Sequence, residues 1–163
     1  MIVDFQDKRS IKQELRQELT AMAEYVLSKQ QKYTKFYISV STLTKTEMQQ
    51  LNARTRNIAK PTDVLSYPSM NLTAGEKIHV RKADVRALQV DEEGNISLGD
   101  IVLCIDVAKQ QAKEFGNTLN QEIKKLFLHS LLHLLGYDHM QDEDYAKMRK
   151  AEQKYGKLFD IGK

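Results

Sequence analysis

The chain has 163 residues, 41% hydrophobic and 29% charged, which suits one ordinary globular domain with a substantial core. Its net charge of +3 is too small to announce a nucleic-acid binder. The longest uncharged apolar run, around 126–135, falls far short of the roughly 20 residues that cross a bilayer, and the opening MIVDFQDKRS lacks the basic-then-apolar pattern of a secretory signal. A single cysteine, Cys104, cannot form an internal disulfide and fits a reducing compartment. The expectation is a cytoplasmic protein with no membrane partner.

In chain order, IVDF at 2–5 reads as a short strand. From about Ser10 to Lys32, Ile11, Leu15, Leu19, Met22 and Val26 recur at the three-to-four spacing of an amphipathic helix. FYISV at 36–40 is β-branched and aromatic, hence a strand. TKTE at 44–47 is a capping box opening a helix to about Arg54. KPTDVLSYP, with a proline at each end, has a strand-like centre at Val64–Tyr67. The polar stretch 69–95, with Gly75 and Gly94, predicts a loop, an extra hairpin, or both. ISLGDIVLCI at 96–105 reads as a buried strand. Asp106 can cap a helix ending at Gly116, and Thr118 with Gln121 forms a second capping box for a helix to Leu135. Tyr145, Met148 and Ala151 mark a last helix over about 142–155. The order predicts a single α+β domain over 1–163, with a small mixed sheet of about four strands and about five helices.

Basic residues gather in two places. Arg54, Arg56 and Lys60 lie in the acid-free stretch 48–62, and Lys77, His79, Arg81, Lys82 and Arg86 are interrupted by Asp84 alone. Taken alone, each cluster reads as a solvated face.

The stretch HSLLHLLGYDH, 129–139, holds three of the four histidines. His129 and His133, four apart, share one face of a helix that is apolar nearly all round, so they need partners or a metal. Gly136 suits the left-handed turn that ends a helix and lets the chain bring His139 back to the same point. Three neutral imidazoles with one open position make the donor set of catalytic zinc, although imidazole also suits nickel and copper.

The zinc peptidase motif His-Glu-x-x-His carries its general base directly after the first histidine. Gly136 and His139 match the offsets of that motif's extended form, but the glutamate position holds Ser130, which is no base at neutral pH. Peptide hydrolysis is therefore the second reading. Metal coordination lowers the pKa of water from about 15.7 to about 7, so phosphodiester attack needs no strong protein base. It does need a cation for the phosphoryl oxygens, and an arginine is the natural supplier, which draws attention to the basic stretch before PTDVLSYP.

HSLLHLLGYDH resembles the signature His-Gly-x-Leu-His-Leu-x-Gly-Tyr-Asp-His of the YbeY family of bacterial metal-dependent endoribonucleases. PTDVLSYP (61–68) resembles that family's Pro-Thr-Asp-Val-Leu-Ser-Phe-Pro, LGDIVLC (98–104) its Leu-Gly-Asp-Ile strand, and LNARTR (51–56) its Leu-Asn-x-x-Tyr-Arg. The resemblance implies an α+β fold with a zincin-like metal helix and one Zn2+ held by His129, His133 and His139. It implies a functional arginine in the cleft at Arg56; Arg54 and Lys60, in the same basic stretch, are further candidates for RNA contact. Single-stranded RNA is the implied substrate, in maturation of small-subunit (16S) ribosomal RNA and ribosome quality control, and the small ribosomal subunit is the implied partner. Departures are Ser130 for glycine, Thr55 for tyrosine and Ala59 for a frequent aspartate. A third reading is a non-catalytic ribosome-assembly factor whose metal stabilises the fold.

Of the remaining polar residues, Asp138 is a candidate to orient a ligating histidine or to stabilise the turn. Asp63 and Asp100 are candidates for the sheet edge or the cleft. Cys104 reads as inert core and His79 as surface.

Overall fold

Alternation of apolar and polar residues makes FYISVSTL a sheet strand. Phe36, Ile38 and Val40 are at most 1% exposed, while Tyr37, Ser39 and Ser41 between them are half-buried. The computed structural model describes residues 1–33, 35–79 and 88–163. The strands among these residues are β1 (Ile2–Phe5), β2 (Phe36–Leu43), β3 (Val64–Pro68) and β4 (Ile96–Cys104). The helices are α1 (Gln13–Gln30), α2 (Lys45–Arg56), α3 (Ile105–Phe115), α4 (Leu119–Leu134) and α5 (Asp142–Phe159).

The sheet order is β1-β2-β4-β3, with β1, β2 and β4 parallel and β3 antiparallel on the edge. Helix α1 is the crossover that parallel pairing of β1 and β2 requires. Gly99 has φ +134 where β4 passes β3, and a Cβ there would collide with the Tyr67 carbonyl, so only glycine fits.

The two sheet faces are covered unequally. On one, Ile38, Val40, Ile101 and Leu103 pack with Leu15, Leu19 and Met22 of α1 and with Phe127, Leu131 and Leu134 of α4. On the other, Met48 of α2 packs with Leu65, Val102 and Cys104, which confirms the buried cysteine. Helix α4 touches β3, β4, α1, α3 and α5. This central position explains its nearly all-round apolar surface, since each fully buried leucine contributes about 1.5–3 kcal/mol.

Both capping boxes form. The Thr44 hydroxyl accepts from the Glu47 N–H at 3.2 Å, and the Thr118 hydroxyl from the Gln121 N–H at 3.1 Å. Several boundaries differ from the sequence expectation: β2 extends to Leu43, and α5 runs on to Phe159. Helix α1 starts at Gln13, because the Ser10 hydroxyl is engaged by Asp7 at 2.7 Å in the preceding turn. Helix α2 runs on to Arg56 and ends at Asn57, which takes the left-handed conformation with φ 57. Asp106 does not cap α3: β4 passes directly into the helix, so the cap position falls on Cys104 and Asp106 sits in the first turn.

Within 69–95, Val90 and Ile96 form an antiparallel bridge around a turn in which Asp91 accepts from the Glu93 and Asn95 N–H groups at 2.9 and 2.8 Å. Lys77 and His79 are exposed, while Arg81, Lys82, Asp84 and Arg86 lie outside the described residues. No helix among the described residues is long and apolar enough to cross a membrane.

Candidate metal centre

Helix α4 carries His129 and His133 one turn apart on the side left open by β3 and α5. The helix ends at Leu134, and Gly136 follows with φ +94. A Cβ at Gly136 would collide with the Leu72 carbonyl, so the turn needs both the left-handed conformation and the absence of a side chain. The returning chain then presents His139. One ring nitrogen from each of His129, His133 and His139 lies within 4.8 Å of the others, so the group could hold a metal ion.

The outer nitrogens are engaged. His133 Nδ1 lies 2.9 Å from the Tyr137 carbonyl, and His129 Nδ1 lies 2.6 Å from Glu152 Oε1. Both partners accept only, so both imidazoles donate from Nδ1. Their Nε2 atoms face each other at 3.1 Å. With Nδ1–H on both rings, both Nε2 lone pairs are free and converge on the same space, where they can bind a cation. Burial, followed by the repulsion of His129, pushes the His133 pKa down to about 4, which favours the neutral ligand form. The donor set therefore fits a divalent metal.

Asp138 accepts from the backbone N–H of His139 at 2.7 Å, so it stabilises the turn that carries the third histidine. The carboxylate found against an imidazole is Glu152 of α5.

A cleft of about 1060 Å³ opens over the histidines, walled by Arg56 and β3 on one side and by Tyr137–Met140 on the other. Arg56 reaches it from the last turn of α2. Its Nη2 donates to the Ser66 carbonyl at 2.9 Å, and its guanidinium lies 5.8 Å from the Tyr67 ring centroid. Thr55, the departure beside it, meets the Tyr67 hydroxyl at 2.8 Å. Asn52 donates to the Lys60 carbonyl at 2.9 Å and so fastens the loop after α2.

The other two cations sit elsewhere. Arg54 lines a separate groove with Ser41, Glu47 and Val102, and Lys60 is exposed and outside the cleft lining. Asp63 lines the cleft, but its carboxylate accepts from the Val64 N–H at 2.7 Å. Asp100, exposed on β4, pairs in register with Tyr67, and desolvation raises its carboxyl pKa from the ordinary value.

Ser130 is fully buried beneath β3, its hydroxyl 2.5 Å from that of Ser66, and it does not line the cleft. Sequence reasoning missed Glu152, Ser66 and Tyr137. Glu152 had one faint signal: it adjoins the apolar stripe Met148, Ala151, Tyr155 that docks α5 on the core.

With this geometry in place, comparison with known proteins is direct. A family model described as Endoribonuclease YbeY matches residues 1–160. A curated relative from Clostridium botulinum (strain Kyoto / Type A2), named Endoribonuclease YbeY, is 36% identical over 160 residues, covering 96% of this chain and 95% of its own. One from Clostridium acetobutylicum with the same name is 34% identical over 160 residues, covering 97% and 96%. A solution structure of a Thermotoga maritima protein has the same fold, with a TM-score of 0.56 and 23% identity over 97% of this chain and 91% of that one. Full-length similarity at this level, agreeing with the histidine-bearing helix and its returning loop, leads to one conclusion: the chain belongs to the YbeY endoribonuclease family.

Proposed function

We propose that this chain is a zinc-dependent endoribonuclease that hydrolyses phosphodiester bonds in single-stranded RNA, with His129, His133 and His139 holding the metal and Arg56 binding the scissile phosphate. The observation that carries the reading is one cleft walled by three converging imidazoles and by Arg56. When bound, such an ion supplies Lewis acidity that brings the pKa of water at its open position to about 7.

The protein's own groups divide the remaining work. Glu152 and the Tyr137 carbonyl hold two imidazoles in the tautomer with Nε2 free. Arg56 uses one N–H on the Ser66 carbonyl and has further donors for a phosphate, whose charge grows as water oxygen bonds to phosphorus, the ester P–O bond breaks and the water's proton ends on the leaving oxygen. Membership of an endoribonuclease family supports RNA as substrate. Precursor 16S ribosomal RNA, acted on in the cytoplasm on the small ribosomal subunit, is the physiological setting we assign to it.

The peptidase alternative lacks its base, since Ser130 is buried against Ser66. The test is metal analysis of the purified protein together with cleavage of single-stranded and hairpin RNA, with and without a chelator. Stoichiometric zinc, with cleavage of single strands abolished by chelation and restored by Zn2+, is expected. Cleavage unaffected by chelation, or no cleavage by zinc-loaded protein, would overturn the proposal.

A further inference from the structure

The geometry points to Glu152 as the positioning residue of the His129 imidazole, so that metal affinity and the docking of α5 are coupled. This rests on the three-histidine reading and extends it to a residue from a third element. Helix α5 buries Met148, Ala151 and Tyr155 against the core, and that docking delivers the half-buried Glu152 carboxylate to His129 Nδ1 at 2.6 Å.

The two anchors differ in kind. His133 is held by a neutral carbonyl four residues along its own turn, whereas His129 is held by a carboxylate 23 residues away on another helix. A carboxylate fixes the Nδ1–H tautomer, limits ring rotation and places a negative charge one hydrogen bond from a dication held by neutral ligands. Lys125, one turn before His129 on α4, pairs with Glu122 at 3.0 Å. Because binding free energies are reciprocal, an ion that binds better with α5 docked must hold α5 docked by the same factor.

The test uses the full chain stripped of metal, with Zn2+ titrated against a chromophoric chelator and Co2+ used as a spectroscopic probe. Glu152→Gln keeps an acceptor of equal reach and removes the charge; Glu152→Ala removes both. Glu152→Ala is expected to raise the Zn2+ dissociation constant roughly 10–100-fold, and Glu152→Gln by a smaller factor. The Co2+ d–d bands should shift in both variants. Zn2+ should slow amide exchange along α5 in the parent and much less in Glu152→Ala. If Glu152→Ala does not fold, the isosteric Glu152→Gln carries the measurement.

Zn2+ affinity within twofold of the parent in the folded variants, with unchanged Co2+ bands, would overturn the inference while leaving the three-histidine reading intact. A parent chain that binds no Zn2+ would overturn both.

Discussion

The hydroxyls of Ser66 and Ser130 meet at 2.5 Å in the buried layer between β3 and α4, joining residues 64 positions apart. This contact turns the residue after the first histidine toward the edge strand and away from the cleft. Serine at 130 is thus part of the packing that seats the histidine-bearing helix, and the position has no room for a general base.

Ser130→Ala leaves the buried Ser66 hydroxyl without this partner and should cost about 1–3 kcal/mol. The Ser66→Ala, Ser130→Ala pair should cost less than the sum of the single changes, as urea denaturation of all four proteins would reveal. Ser130→Glu would bury an unpaired carboxylate and lose about 3 kcal/mol or more without gaining peptidase activity. Strict additivity of the two alanine changes would show that the hydroxyls do not interact.

Gly136 carries φ +94 against the Leu72 carbonyl. Gly136→Ala combines backbone strain with a backbone collision and should lose roughly 1–3 kcal/mol, together with zinc affinity, because His139 is carried by this turn. A thermal melt and a zinc titration test both effects. An unchanged melting temperature would mean that the turn relaxes freely.

His139 is exposed, whereas His129 and His133 are half-buried. His139→Ala should therefore leave the stability of the metal-free protein within about 0.5 kcal/mol while sharply weakening zinc binding. Chelation should lower the melting temperature of the parent and leave that of His139→Ala nearly unmoved. Undiminished zinc binding in the variant would remove His139 from the ligand set.

Arg56 and Arg54 are two residues apart but lie on different surfaces. Arg56→Ala should lower the RNA cleavage rate by about 100-fold with zinc content unchanged, and Arg54→Ala should leave the rate within twofold. Equal losses in single-turnover assays would mean that the substrate path crosses both surfaces.

The local signals in the sequence were enough for the elements and half of the site. Helical spacing located α1 and α5, composition and turn residues located the other elements found among the described residues, the Thr44 and Thr118 boxes marked two starts, and the 129/133/139 spacing with Gly136 placed three imidazoles together. These features depend on contacts within about one helical turn or across one glycine-mediated reversal, so neighbouring residues encode them. The start of α3 was misread for the converse reason: Asp106 is a good capping residue, but continuity with β4 moved the boundary to Cys104.

What the tertiary structure alone decided are contacts between distant segments: Glu152 against His129, Ser66 against Ser130, and Arg56 facing the cleft while Arg54 faces another groove. Each depends on how α5, β3 and α2 seat around α4, an outcome of whole-core packing. Helical phase shows which residues share a face; only the packed neighbours decide what that face meets.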